Sequence, residues 1–114
     1  MKKGAFVPDR GNIILLNFSP QTAHEQAGKR PALVLSAKSY NDVSGLAFCC
    51  PITRTRRKHP FEILLPPDMK TTGSVLVEQL KSLAWQARDA QFIESAPAFI
   101  VDEAIAKIFA ILSH

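Results

Sequence analysis

The feature that most constrains this chain is its punctuation: apolar runs last only a few residues before Gly, Pro, Ser or Asn interrupts them. Ile13-Ile14-Leu15-Leu16-Asn17-Phe18 is entered through Gly11-Asn12 and ended by Ser19-Pro20. Ala32-Leu33-Val34-Leu35-Ser36, Leu46-Ala47-Phe48-Cys49-Cys50-Pro51-Ile52, Phe61-Glu62-Ile63-Leu64-Leu65 and Ser74-Val75-Leu76-Val77-Glu78 follow the same plan. Leu83-Ala84-Trp85 and Gln91-Phe92-Ile93 are shorter candidates. Such runs are too short for helices and match strands, and continuous rather than alternating apolarity suits strands covered on both faces or curled into a small barrel. Pro51 lacks an N–H and points to a sheet edge or a bulge. Residues 21–31 are polar and contain Gly28, which predicts a long loop. A short helical piece is expected around residues 38–42. Only the end of the chain changes period: Asp102, Glu103, Ile105, Ile108, Phe109 and Leu112 form an apolar stripe with acids in the first turn. The expected architecture is mainly β, a small curled β-barrel closed by one C-terminal amphipathic helix.

With 114 residues, 46% of them hydrophobic and 21% charged, the chain suits one domain over residues 1–114 that needs neither metal nor disulfide to hold a core. The net charge of +4 is unevenly spread. Residues 1–88 hold 13 basic and 6 acidic side chains, a net +7, whereas residues 89–114 hold one and four, a net −3. A basic body predicts an anion-binding face, with phosphate the usual anion. Cys49 and Cys50 are adjacent, so in a strand they point to opposite faces and make poor disulfide partners. No Cys/His spacing suggests zinc, and no metal or cofactor is expected. Lys2 and Lys3 are not followed by a secretion-signal run, and no apolar stretch approaches a membrane span. The expected location is cytoplasmic.

Several residues can carry chemistry. Arg30 is held before Pro31 at the entrance to a buried strand, and its planar guanidinium suits phosphate; an ion pair with Glu25 or Glu78 accounts for it equally well. Thr53 closes the third strand at the mouth of a basic loop, where its hydroxyl can donate to a phosphate or simply build a turn. Arg54, Arg56, Arg57, Lys58 and His59 are the densest charge cluster, and beside Phe61 and Tyr40 they can track a single-stranded backbone. Tyr40 and Asn41 can stack on and hydrogen-bond a base, with helix capping the other role for Asn41. Glu78, Gln79 and Lys81 place a carboxylate, an amide and an ammonium at a strand end, suited to a base edge or to water. His24, beside Glu25, can polarise or shuttle a proton, though a solvated loop histidine is the default. Lys29 adds to the positive loop. Trp85 is read as a core or dimer-interface aromatic.

In order and spacing, these blocks resemble the MazF/PemK toxins, including the Kid and ChpB members. The resemblance is carried by Gly11-Asn12-Ile13-Ile14, Phe18-Ser19-Pro20, His24-Glu25-Gln26-Ala27-Gly28-Lys29-Arg30-Pro31, Tyr40-Asn41, Pro51-Ile52-Thr53 and Val77-Glu78-Gln79-Leu80-Lys81-Ser82. It implies an SH3-like barrel, a homodimer, and metal-independent cleavage of single-stranded RNA at short motifs. It also implies a cognate antitoxin whose disordered C-terminal tail fills the RNA groove. By motif, Arg30 corresponds to the family's catalytic arginine, Thr53 to its active-site threonine and Glu25 to its loop glutamate. The implied RNA contacts are His24, Lys29, Tyr40, Asn41, Arg54, Arg56, Arg57, Lys58, Glu78, Gln79 and Lys81.

Two departures qualify it. Where some members carry an arginine and an aspartate, this chain has Leu76 and Glu78, which leaves the general base and acid open. The basic loop also varies among such proteins, so the RNA motif does not carry over. Two other classes compete: a gyrase poison of the CcdB kind, acting through the C-terminal helix, and a non-catalytic RNA-binding module. On loss of Arg30 the gyrase reading predicts no change in toxicity, and the binding module only a uniform fall in affinity.

Overall fold

The computed structural model describes residues 6–18, 28–55 and 59–113. Its strands are β1 (Asn12–Asn17), β2 (Lys29–Val34), β3 (Leu46–Thr53), β4 (Glu62–Leu64), β5 (Ser74–Leu76), β6 (Lys81–Ala84) and β7 (Gln91–Ser95). Among the described residues the helices are α1 (Lys38–Ser44) and α2 (Ala98–Leu112), with a 3-10 turn over Val77–Gln79. All pairings are antiparallel, in the order β4-β5-β3-β2-β1-β7, with β6 also on β3. The sheet curls without closing: β4 and β7 end the path and do not pair. The expected mainly-β fold with a C-terminal helix holds, but as an open sheet and not a closed barrel.

Continuous apolar runs arise because both faces of the sheet are covered. Ile13, Leu33, Cys50, Ile52, Val75, Ile100, Val101 and Ala104 belong to one core cluster. Ile14, Leu16, Ala32, Val34, Ala47, Cys49, Leu83 and Trp85 belong to the other. Neighbours in sequence therefore fall on opposite sides, as a period of two requires. Cys49 and Cys50 are split in this way, and both are free and buried. Pro51 is not on an edge strand. It sits centrally in β3 where partners change, after residues 46–49 have paired with β6 and before Ile52 and Thr53 pair with β5. A residue without an N–H is tolerated at that handover.

Two expectations need correction. The strand expected over residues 74–78 ends at Leu76, so Glu78 and Gln79 lie on the 3-10 turn. Of the apolar stripe predicted for α2, only Ile108 packs against the core. Ile100, Val101 and Ala104 are buried, whereas Ile105, Phe109, Ile111 and Leu112 are exposed. The helix begins one turn earlier than its acids suggest, immediately after Pro97, and its first turn holds no acid. No helix among the described residues is long and apolar enough to cross a membrane.

Candidate active site

Cross-strand register assembles the site. Leu16 pairs with Arg30 across β1 and β2, and Thr53 pairs with Ser74 across β3 and β5. Between these, β2 and β3 pair Val34 with Cys49, Leu33 with Cys50 and Ala32 with Pro51. The β2–β3 pairing ends at Ala32 and Pro51, two residues short of Arg30 and Thr53. Leu64 faces Ser74 from β4. Leu16 and Arg30 thus pair across β1 and β2, and a row runs Thr53, Ser74, Leu64 across β3, β5 and β4, with paired strands about 4.8 Å apart. Arg30 and Thr53, 23 positions apart in the chain, lie just beyond the last β2–β3 pair and share a face by strand parity.

Their settings differ usefully. Arg30 is exposed and has no hydrogen-bond or ion-pair partner among the described residues, so its fork of donors is available to an anion. Thr53 is partly buried, and its Oγ1 accepts the Thr55 N–H at 3.2 Å, which fixes the rotamer and leaves the hydroxyl proton to donate. The next turn is shaped around this strand end. Gly73 has φ +125°, and a β-carbon there would overlap the Thr53 carbonyl oxygen, so only glycine lets the turn close on Thr53. Leu65 N–H bonds the Gly73 carbonyl at 2.9 Å. Glu94 on β7 anchors the same turn, accepting from Thr71 N–H at 2.7 Å, Thr71 Oγ1 at 2.6 Å and Lys70 N–H at 3.2 Å. Desolvation pushes the Glu94 carboxyl up, but the Thr71 and Lys70 hydrogen bonds and the Lys70 charge outweigh it and hold the group below its ordinary value.

Arg54 is exposed beside this row, lining a cavity of about 380 Å³ with Leu64, Pro66, Pro67 and Thr72. The other sequence candidates distribute as follows. His24, Glu25, Arg56, Arg57 and Lys58 lie outside the described residues. Lys29 is on β2, but one step from Arg30 and therefore on the opposite face, and its Nζ is 3.2 Å from Asp89 Oδ2. Tyr40 is exposed, and its ring lies 5.8 Å from that of Phe48. Glu78 is exposed, with Oε2 3.6 Å from His59 Nε2; Gln79 is half-buried. Lys81 is exposed and pairs with Cys49, four residues along β3 from Thr53 and so about 13 Å from it.

Asn41 corrects the sequence reading. It is fully buried: Oδ1 accepts from Ser36 Oγ at 2.6 Å, and Nδ2 donates to the carbonyls of Pro8 at 2.8 Å and Ser36 at 3.1 Å. Its own carbonyl accepts Trp85 Nε1 at 3.0 Å and Gly45 N–H at 2.9 Å. The side chain is committed to the fold and turned away from any RNA. Trp85 is correspondingly a core residue. The cysteines are inert nucleophiles, since burial pushes both thiols up to about 12, with the neighbouring Cys49 adding to the effect on Cys50. The residue missed in the sequence is Ser74. It is fully buried beside Thr53, and its Oγ is the one buried side-chain polar atom among the described residues without a hydrogen-bond partner. The available signal was a hydroxyl opening an otherwise apolar run.

Residues 9–112 match the family described as PemK-like, MazF-like toxin of type II toxin-antitoxin system. The endoribonuclease toxin MazF of Escherichia coli (strain K12) is 44% identical over 85 residues, covering 75% of this chain and 76% of that protein. The endoribonuclease toxin ChpB of the same strain is 36% identical over 117 residues, covering 98% of each. Among solved structures, MazF (Form-I) from Deinococcus radiodurans superposes with a TM-score of 0.87 at 43% identity, covering 96% of this chain and 100% of that one. A MazE-MazF structure (Form-III) from the same organism gives 0.88 at 42% identity, covering 95% and 98%. The chain belongs to the PemK/MazF family of toxins of type II toxin-antitoxin systems.

Proposed function

We propose that this endoribonuclease toxin cuts single-stranded RNA at short sequence motifs, using the 2′-OH of the RNA as nucleophile and the Arg30–Thr53 pair to hold the phosphate under attack. The observation that supports this reading is an exposed guanidinium without a partner among the described residues and a rotamer-fixed hydroxyl at the ends of two paired strands, on the same face by parity. In the reaction, the 2′ oxygen bonds to phosphorus, the bond to the 5′ oxygen breaks, and a 2′,3′-cyclic phosphate and a 5′-OH result. The pentacoordinate phosphorane carries extra negative charge, which Arg30 stabilises more strongly than it does the ground state. Thr53 orients a non-bridging oxygen by donating its hydroxyl proton. Glu25, carried over by motif, is the candidate base for the 2′ proton. The exposed Arg54 extends the positive surface along the strand, and the sequence adds Arg56, Arg57 and Lys58.

Two partners complete the reading. A cognate antitoxin with a disordered, acidic C-terminal tail would compete with RNA for the same positive surface. A second copy of the chain would cover the apolar side chains that α2 leaves exposed, Ile105, Phe109, Ile111 and Leu112.

The test is incubation of the purified protein, in EDTA, with a long single-stranded RNA and with DNA of the same sequence, followed by mapping of fragment ends. Recurrent cuts in RNA alone, with cyclic-phosphate and 5′-OH ends and none from Arg30→Ala, are the expected result. A folded protein that leaves RNA intact, or an Arg30→Ala variant that cuts normally, would overturn the proposal.

A further inference from the structure

From its placement we infer that Ser74 is a positioning residue for the cleavage reaction, its buried hydroxyl donating to Thr53 Oγ1 when Thr53 turns its own proton to the RNA phosphate. The inference rests on the assignment of Thr53 proposed above. Three observations carry it. Ser74 is the cross-strand partner of Thr53, so the two side chains stand on the same face within one strand spacing. Its Oγ is fully buried and has no partner in the resting structure, a state that costs stability and that alanine or valine at the same place would avoid. The strand end is also fixed independently of that hydroxyl, through the Gly73 turn against the Thr53 carbonyl, the Leu65 bond to Gly73, and the clamp of Glu94 on Thr71. Ser74 is thus not needed to close the turn.

A threonine hydroxyl that donates to a phosphate keeps lone pairs for incoming donors. The Thr55 N–H occupies one at 3.2 Å. Ser74 supplies a second, which polarises the Thr53 O–H and confines it to the rotamer aimed at the substrate. The bond forms only with substrate present, so it acts on the chemical step more than on RNA binding. No covalent change occurs at Ser74, and its proton stays on its own oxygen.

The experiment is a double-mutant cycle between Ser74→Ala and Thr53→Ala, reading kcat and KM on an RNA with a single mapped cut, with an unfolding curve for each protein. Ser74→Ala is expected to lower kcat roughly tenfold with KM unchanged. Its unfolding midpoint should match or exceed that of the parent. In the Thr53→Ala background the same change should cost nothing further, because the group it serves is gone. Ser74→Thr, which retains a hydroxyl, should stay within about threefold of the parent kcat. A Ser74→Ala protein with parental kcat, an equal loss in both backgrounds, a loss confined to KM, or a Ser74→Thr protein as slow as Ser74→Ala would each overturn the inference. If Thr53→Ala itself cuts at the parental rate, the active-site assignment fails; an unaffected Ser74→Ala beside a disabled Thr53→Ala removes only the role of Ser74.

Discussion

Asn41 and Ser74 are both polar and both fully buried, yet they stand in opposite states. Asn41, in the helix leading into β3, has its side-chain oxygen and amide nitrogen engaged by Ser36 and Pro8. Ser74, opposite the last residue of β3, has no partner. A buried polar group with every bond made specifies the fold, whereas one left without a bond costs stability and persists where another function needs it. The entry to β3 is therefore built for stability, and its exit is where the proposed chemistry would lie.

The largest effect that would sharpen this contrast is at the exit. Arg30→Ala is expected to reduce RNA cleavage by about a hundredfold or more, the scale for removing one charged transition-state donor. Because Arg30 is exposed and has no partner among the described residues, the unfolding midpoint should barely move. The reverse pattern is expected at the entry. Asn41→Ala removes three hydrogen bonds from a buried site and should cost about 3 kcal/mol in chemical denaturation. Well below its midpoint the variant should cut RNA at close to the parental rate. A swap of these outcomes would break the comparison.

Glu94 lies between the two regions in character, since it is a structural clamp that holds the turn behind Thr53. Glu94→Gln is expected to cost about 1 kcal/mol at neutral pH, because an amide cannot accept all three bonds. The carboxyl is held below its ordinary value of 4.5 in the folded protein. Its contribution is therefore complete above that value and is lost as pH falls through the lower folded pKa. Denaturant titrations from neutral to acid pH should show this slope in the parent and a shallower one in the variant. The smallest effect belongs to Lys29, whose ion pair with Asp89 is solvent-exposed. Lys29→Ala should change stability by less than about 0.5 kcal/mol. It should leave the cut pattern intact, since the side chain faces away from Arg30.

What could be read in the sequence follows from how local each cause is. The strands were legible because burial on both sides of a sheet writes itself as short apolar runs, and the opposed Cys49 and Cys50 follow from backbone period alone. The face of α2 was misread because the helix is apolar on more than one side. Ile105, Phe109 and Leu112 keep helical spacing as well as Ile100, Val101 and Ala104 do, and spacing cannot say which stripe meets the chain's own sheet. Asn41 was assigned to RNA through its place beside Tyr40. The rotation of about 100° between consecutive helical residues instead sends the exposed tyrosine outward and the asparagine into the core. At the site, motif order supplied Arg30 and Thr53, but the face they share depends on the pairing of β2 with β3. Ser74 was invisible for the same reason, since its meaning lies in its cross-strand partner and in a missing bond.

The central claim is that the exit of β3 holds a phosphate while the RNA attacks itself. Its most direct test uses one RNA in two forms, identical except for a single 2′-deoxy sugar on the 5′ side of a mapped cut, each incubated with the protein in EDTA. The claim predicts that the cut disappears at that phosphate alone while other sites on the same strand are still cleaved to cyclic-phosphate ends. Continued cleavage at the 2′-deoxy position would contradict it, because the nucleophile would then have to come from elsewhere.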